Sequence, residues 1–187
     1  GIDSDVDGFA ILDDGSVLMS FNADTIVPGV GKVARSDIVR FIPTLNGEVT
    51  DGSFEMHFDG SDVGLTVSSE DVDAISLTPD GNLLVSTSGI YTVDNLRGTD
   101  ADLLKFTGTR FGDQTEGSWA LYFDGSDVEL TSSNEDIVGA SVDPITRDIH
   151  LTMSGTVGAG GVIADGADVV ACQSVTLGDT TSCTTAI

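Results

Sequence analysis

An internal repeat of about 65 residues constrains this chain more than any other feature. The segment Phe41–Val63 aligns without gaps to Phe106–Val128, and twelve of the 23 positions are identical, including the whole FDGSDV ending. Upstream, SDVDGFAILDDGSVLMS (Ser4–Ser20) matches EDVDAISLTPDGNLLVS (Glu70–Ser86), and a more divergent third copy begins at Glu135. A repeat of this length forms one structural unit that packs on its neighbours.

Each unit contains four apolar stretches that read as β-strands. Period-two alternation recurs along the chain, whereas no segment has the 3.6-residue periodicity of an amphipathic helix. Asp-Gly between the first two stretches predicts a two-residue hairpin loop. A glycine-rich loop precedes the third stretch, and the DGSD turn follows the fourth. The pattern predicts an all-β fold of about three tandem four-stranded antiparallel units, blade-like or in an open stack, with the last unit incomplete.

The 187 residues are predicted to form a single all-β repeat domain with units at about 3–68, 69–133 and 134–187. Three blades are too few for an ordinary closed propeller, which favours the open stack. The chain starts at the first-strand box without a preceding FDGSDV, and unit 3 stops inside its fourth strand. We therefore expect unit 3 to stack on unit 1 of another subunit, a head-to-tail contact that builds a homopolymer. The alternatives are a fragment of a longer repeat protein and worn terminal caps that prevent stacking.

The charge of the chain excludes two classes of partner. It carries 31 acidic against 7 basic residues, a net charge of −24. Such a charge repels nucleic acid phosphates and anionic lipid headgroups, so no nucleic acid partner is expected. No run of about 18 apolar residues occurs, so no membrane span is expected either. The first residue is Gly, so either a leader has been removed or the chain was trimmed, and we expect an exported protein.

The two cysteines, Cys172 and Cys183, predict a disulfide in an oxidising compartment. By the repeat alignment, Cys172 takes the Phe41 and Phe106 position, and Cys183 takes the Gly52 position on the adjacent strand. A zinc site on these residues is disfavoured because zinc needs about four ligands. A reactive thiol pair is the alternative reading.

Four sequence boxes carry a resemblance to a known group of proteins. FDGSDV[GE]L, ED[VI]DA, PDG-x-LL-x-S and [DE]xDLLxF together resemble the repeat of secreted, multi-copy bacterial surface proteins, which are mostly uncharacterised. The resemblance covers nearly the whole chain and implies a secreted, extracellular β repeat, in some cases attached to the cell surface, but no known reaction. Unit 3 departs from the pattern, since Val138 replaces the second Asp of the box and DPITRD replaces the PDG turn.

The run DSDVDG (Asp3–Gly8) matches the front half of an EF-hand calcium loop. An EF-hand needs an entering helix, yet only two residues precede Asp3, and the equivalent run Ser69–Ala74 lacks the first Asp and the Gly. The run is therefore interpreted as the start of a strand rather than as an EF-hand.

Calcium binding is still predicted, because Asp recurs at fixed repeat positions and calcium takes about six to eight oxygen ligands, commonly on loops. The DGSD turn and the Asp before the third strand could meet at one end of the sheets, where unpaired carboxylates would repel. The alternative is that DGSD is only a solvated turn with Asx hydrogen bonds. The predicted Ca²⁺ ligands are Asp5, Asp7, Asp37, Asp59, Asp62, Asp71, Asp73, Asp102, Asp124, Asp127, Asp136 and Asp168.

The acids follow repeat positions instead of forming one irregular constellation, and neither His57 nor His150 has a neighbouring Ser or Cys motif, so no enzyme is predicted. The predicted function is a non-enzymatic extracellular structural protein, a calcium-stabilised β repeat that self-assembles into a filament or surface layer. The alternative is a carbohydrate- or cell-surface-binding adhesin module. Contact with a cell surface or a polysaccharide is compatible with both.

Overall fold

The computed structural model describes residues 2–186, apart from the side chains of residues 174, 175, 185 and 186. The predicted all-β fold of three four-stranded antiparallel units is confirmed. In each sheet the spatial order of the four long strands follows their order along the chain. A further two-stranded hairpin is inserted between the second and third long strands of every unit.

The three units have closely matching strands. In unit 1 the strands are β1 (Val6–Ile11), β2 (Val17–Phe21), β3 (Thr25–Val27), β4 (Gly31–Val33), β5 (Ile38–Leu45) and β6 (Asp51–Phe58). In unit 2 they are β7 (Val72–Leu77), β8 (Leu83–Thr87), β9 (Tyr91–Val93), β10 (Leu96–Gly98), β11 (Leu103–Arg110) and β12 (Glu116–Phe123). In unit 3 they are β13 (Ile137–Val142), β14 (Ile149–Met153), β15 (Val157–Ala159), β16 (Val162–Ala164), β17 (Val170–Thr176) and β18 (Ser182–Ala186).

Two local features differ from the sequence prediction. The glycine-rich loop is not irregular, because β3–β4, β9–β10 and β15–β16 form antiparallel hairpins there. The first turn of unit 1 is a three-residue loop instead of a two-residue one, since Leu12 N–H donates to Ser16 O at 2.8 Å around residues 13–15. Gly15 has φ 81°, the left-handed residue that such a bulged loop requires.

The sheets are arranged as blades whose first strands lie together. Strand β7 contacts both β1 and β13, so the first strands form the inner edge of the molecule. At the outer edge, Phe58 of one unit forms a parallel bridge with Gly112 of the next, and Phe123 does the same with Gly178. Consecutive sheets are therefore held together at both edges.

The hydrophobic core is divided into layers that lie between sheets. The first junction core, between units 1 and 2, consists of Leu18, Ile38, Phe58, Leu65, Val72, Ile75, Leu83, Val85, Tyr91, Val93, Leu104, Phe106 and Trp119. The second junction core, between units 2 and 3, consists of Ala74, Leu84, Ala101, Leu103, Phe123, Leu130, Ile137, Val142, Ile149, Leu151, Met153, Val157, Ala159, Ala164, Val170 and Cys172. On the far side of unit 1, the outer layer has only Phe21, Val27, Val33 and Val39 as buried members.

The predicted disulfide between Cys172 and Cys183 is confirmed, with a Cα–Cα distance of 5.3 Å across β17 and β18. In units 1 and 2 the same two positions hold Phe41 over Gly52 and Phe106 over Gly117. A Cβ on Gly117 would lie 2.4 Å from Phe106 Cζ, so the ring occupies the space that the glycine leaves. The disulfide of unit 3 therefore replaces an aromatic ring packed on a glycine.

Candidate functional site: an aspartate clasp at the unit junctions

The DGSD turn forms a short 3-10 helix at the end of units 1 and 2, at Gly60–Val63 and Gly125–Val128. Asp59 caps the first helix, since its side chain accepts a hydrogen bond from Ser61 N–H at 3.1 Å. Asp124 does the same for Ser126 N–H at 3.0 Å. These contacts are the Asx hydrogen bonds that the alternative reading of the turn predicted.

The Asp before the third strand fastens this turn within its own unit. Asp37 is buried, and its carboxylate accepts from Gly60 N–H at 3.0 Å and Ala34 N–H at 2.7 Å. A Cβ on Gly60 would lie 2.3 Å from Ser36 O, so only glycine allows this approach. Burial raises the pKa of Asp37 to about 6, against the lowering effect of the two N–H donors.

Asp102 repeats this arrangement in unit 2. It accepts from Gly125 N–H at 3.0 Å, and it also accepts from Thr99 N–H at 2.9 Å and Tyr91 O–H at 3.1 Å. Burial raises its pKa as well. The DGSD turn and the third-strand Asp therefore meet as the sequence suggested, through direct hydrogen bonds.

The same turn also binds the following unit. Asp59 N–H donates to Thr115 Oγ1 of unit 2 at 2.9 Å, and Thr115 N–H donates back to the Asp62 carboxylate at 2.9 Å. At the next junction, Asp124 N–H donates to Thr181 Oγ1 at 2.9 Å, and Thr181 N–H donates to Asp127 at 2.8 Å. We call this reciprocal pair of bonds the aspartate clasp.

Further contacts surround each clasp. Gly112 N–H donates to His57 O at 2.8 Å, and Gly178 N–H donates to Tyr122 O at 2.9 Å. At the first junction, Trp119 Nε1–H donates to Val63 O at 2.9 Å. Leu65, which follows the turn, is 1% exposed within the first junction core. Each junction is therefore held both by hydrogen bonds of the clasp and by buried apolar side chains beside it.

The glutamate of the ED box is a structural residue that the sequence analysis did not single out. Glu70 is buried, and its Oε2 accepts from Thr66 N–H at 2.7 Å and Val67 N–H at 3.0 Å. Glu135 binds Thr131 N–H and Ser132 N–H, each at 2.6 Å. The signal was present in the sequence, since Glu recurs at this position in units 2 and 3 while only the following Asp was considered a ligand.

An acid pair, Asp73 and Asp136, lies near the inner edge of the sheets. Asp73 is 3% exposed, and Oδ1 of each residue is buried without a hydrogen-bond partner among the described residues. Burial raises the pKa of both carboxyls, and the charge of Asp136 raises that of Asp73 further. The charge of the Asp7 carboxylate also raises the pKa of both carboxyls.

The remaining predicted ligands lie apart from this pair. Asp71 forms an ion pair with Arg35 at 3.0 Å, and Asp168 accepts from Asp165 N–H at 2.9 Å. Asp5 is exposed, and its backbone bonds to Asn22. Among the described residues, no group of three or more His, Cys, Asp or Glu side chains is placed to hold a metal ion. The twelve predicted ligands are thus distributed over several structural roles, and calcium stays a prediction.

A cleft of about 1010 Å³ opens along the inner strands. Residues of β1, β7 and β13 line it, together with His150. Phe9 and Ile11 on its wall are 62% and 70% exposed. The cleft has the size of a small-ligand site, with a largely apolar wall.

Comparison with known proteins finds no protein-family model, no curated protein and no solved structure that matches the chain. No helix among the described residues is long and apolar enough to cross a membrane.

Proposed function

We propose that this chain is a non-enzymatic structural module of an extracellular surface protein, in which β units joined head to tail form a filament or surface layer. The aspartate clasp is the observation that carries this proposal. The same two hydrogen bonds occur at both junctions, and the repeated acids contact backbone N–H groups instead of converging on one reaction centre. Repeat units joined through the same contacts at successive junctions are suited to extended structures.

An extracellular location is supported by the disulfide and by the charge. Disulfides persist mainly in oxidising compartments, and Cys172–Cys183 is formed in unit 3. A net charge of −24 suits a surrounding medium rich in cations. The resemblance to secreted surface repeats points the same way.

Self-assembly is tested on the unmodified chain, by sedimentation velocity and negative-stain microscopy with calcium and with EDTA. We expect end-to-end assemblies that lengthen with protein concentration when calcium is present. Monodisperse monomers under both conditions would overturn the head-to-tail part of the proposal.

Calcium stabilisation is proposed at the acid pair. The unpartnered Oδ1 atoms of Asp73 and Asp136 suit a hard cation, and the negative charge of Asp7 acts on both carboxyls. A cation there would neutralise carboxylates contributed by different units and so link the inner strands. Apart from the exposed Asp5, the other predicted ligands already accept hydrogen bonds from backbone N–H groups or form an ion pair, which leaves them less suited to this role.

The calcium proposal is tested by melting curves at neutral pH with EDTA and with added calcium. We expect calcium to raise the Tm of the chain and to have little effect on the Asp73→Asn/Asp136→Asn variant. The Asp113→Asn variant, which alters an exposed acid, serves as the control and should respond like the parent chain. Equal Tm values in EDTA and calcium for the parent chain would refute calcium binding.

A carbohydrate-binding adhesin module is the second candidate, and the cleft favours it. An exposed aromatic ring such as Phe9 can stack on a sugar face, and His150 on the same wall can supply hydrogen bonds. Glycan-array binding that disappears in Phe9→Ser would support this function. If the parent chain binds no polysaccharide, the adhesin function is rejected and the structural module is the one proposed function that stands.

A further inference from the structure

Unit 1 contains the threonine loop of a further aspartate clasp, and no described residue supplies the aspartate turn that would bind it. By the repeat alignment, Gly47 and Thr50 correspond to Gly112 and Thr115 in unit 2. Thr115 Oγ1–H donates to Gly112 O at 2.9 Å, and Thr50 Oγ1–H donates to Gly47 O at 3.3 Å, so the loop is already shaped like its counterpart. Thr115, which is part of the clasp, is 3% exposed, whereas Thr50 is exposed.

The apolar surface beside this loop is also uncovered. Phe41 and Phe54 are only half-buried, whereas their unit 2 equivalents, Phe106 and Trp119, are 0% and 9% exposed. On the first strand, Val6 is 49% exposed, and the equivalent Val72 is fully buried. The outer layer of unit 1 is thus one wall of a junction core whose second wall is missing from the described residues.

We infer that this face of unit 1 is a docking site for the DGSD turn of another repeat unit, with Gly47 and Thr50 as its clasp loop. The occupant is a segment of the form FDGSDVxL. Its two Asp residues would bond to Thr50 as Asp59 and Asp62 bond to Thr115, and its Leu would cover the outer layer as Leu65 covers the first junction core. The two internal junctions are the templates for this chemistry.

The structure also indicates what does not suit the site. Both DGSD turns of the described residues are already engaged with the following unit, so the occupant belongs to a further unit, either in the same polypeptide or in another. At the position of Leu18 and Leu84, which lie in the two junction cores, unit 3 has His150. The outward face of unit 3 is therefore a poorer partner for unit 1 than a face that ends in a DGSD turn.

This inference rests on the proposed role as a stacked repeat module, and its test is independent of self-assembly by the unmodified chain. The sequence of residues 58–68, FDGSDVGLTVS, is placed directly before Asp3 in the full chain. This puts the turn in the register that residues 58–68 have before Ser69. We expect a rise in Tm of roughly 5 °C and new hydrogen-exchange protection of the Thr50 amide, the equivalent of the Thr115 N–H that donates to Asp62.

A matched control separates docking from a general effect of the extension. Thr50→Val removes the hydroxyl acceptor, so it should cancel most of the gain in the extended chain and leave the unmodified chain unchanged. An extended chain that melts at the parent temperature and gains no protection at the Thr50 amide would overturn the inference. A gain that Thr50→Val does not reduce would overturn it too.

A second arm asks whether the turn can come from another molecule. The sequence of residues 122–133, YFDGSDVELTSS, is added after Ile187, which completes the fourth strand of unit 3 and its turn. Association that requires Thr50 in sedimentation velocity shows that the site accepts a turn from a separate chain. Monomers here, with a positive result in the first arm, assign the occupant to the same polypeptide.

Discussion

Units 1 and 2 have equivalent faces on the side of the preceding unit, but the described residues cover only the face of unit 2. Phe106 and Trp119 of unit 2 lie in the first junction core against Phe58 and Leu65 of the preceding repeat. Phe58 meets Phe106 edge-on, with ring centroids 5.2 Å apart. Phe41 and Phe54 of unit 1 pack against each other with tilted rings, whose centroids lie 4.9 Å apart, and remain partly exposed. The same repeat position thus contributes differently to stability in the two units, because a repeat unit draws much of its stability from the interface with its neighbour.

Truncation of the aromatic rings should reveal the largest difference in stability between the two faces. We expect Phe106→Ala to cost about 3–5 kcal/mol, because it opens a cavity in a closed core layer. Phe41→Ala should cost less than about 2 kcal/mol, since its ring is half-buried and the site can relax. Denaturant titration of the two variants measures both values. Equal losses would show that the outer layer of unit 1 is as closed as the first junction core.

The disulfide offers the next largest effect, because unit 3 uses it where units 1 and 2 pack a ring on a glycine. Reduction, or the Cys172→Ala/Cys183→Ala variant, should lower the stability by about 3 kcal/mol through loss of the loop constraint. The Cys172→Phe/Cys183→Gly variant should recover a large part of this loss by restoring the contact seen between Phe106 and Gly117. Melting curves under oxidising and reducing conditions compare the variants. A Phe/Gly variant no more stable than the Ala/Ala variant would contradict the equivalence of the two contacts.

Clasp threonines give a smaller and more specific test. Thr115→Val and Thr181→Val should each cost about 1–3 kcal/mol, because each leaves an Asp N–H without its acceptor in a partly buried site. Thr50→Val, at the equivalent open position, should have almost no effect. The three variants are compared by Tm and by hydrogen exchange at residues 59 and 124. A loss at Thr50 equal to that at Thr115 would show that the threonine acts within its own loop.

Substitution in the acid pair should have the smallest effect, and it should raise the stability instead of lowering it. The folded-state pKa values of Asp73 and Asp136 are raised, so the folded chain holds protons that the unfolded chain releases above 3.8. Stability in EDTA should therefore fall as the pH rises from 3.8 through about 6 for Asp136, and should keep falling at higher pH as Asp73 ionises.

Asp73→Asn should flatten the upper part of this pH dependence and raise the Tm at neutral pH by about 3 °C. The reason is that the Asp73 carboxyl is ionised in the unfolded chain at neutral pH and must take up a proton on folding, a cost that the neutral amide of the same volume avoids. Melting curves across this pH range compare the variant with Asp113→Asn. A lower Tm for Asp73→Asn at neutral pH in EDTA would mean that the pair is stabilised by ionisation.

Much of the fold followed from local patterns in the sequence. Period-two alternation placed the four long strands of every unit, and the gap-free alignment of the repeat set the unit boundaries. Cys172 and Cys183 could be paired because the alignment put them on neighbouring strands. The small hairpins such as β9–β10 were missed because their three-residue strands are too short for alternation to register.

The candidate site depended on contacts that sequence cannot reveal. Recurring Asp residues signalled that these positions matter, yet a carboxylate that binds a cation and one that accepts a backbone N–H look alike in a sequence. Asp62 and Thr115 are more than 50 residues apart, and only the stacking of blades brings the carboxylate to the N–H at 2.9 Å.

By itself, the sequence determined the strand content, the repeat, the charge and the disulfide, because these depend on residue type and spacing along one chain. Tertiary structure decided which Asp residues are engaged, which buried Asp oxygens lack a hydrogen-bond partner, and which face of unit 1 the described residues leave uncovered. Those properties depend on how neighbouring units pack, since burial and hydrogen bonding across a junction arise only when two sheets meet.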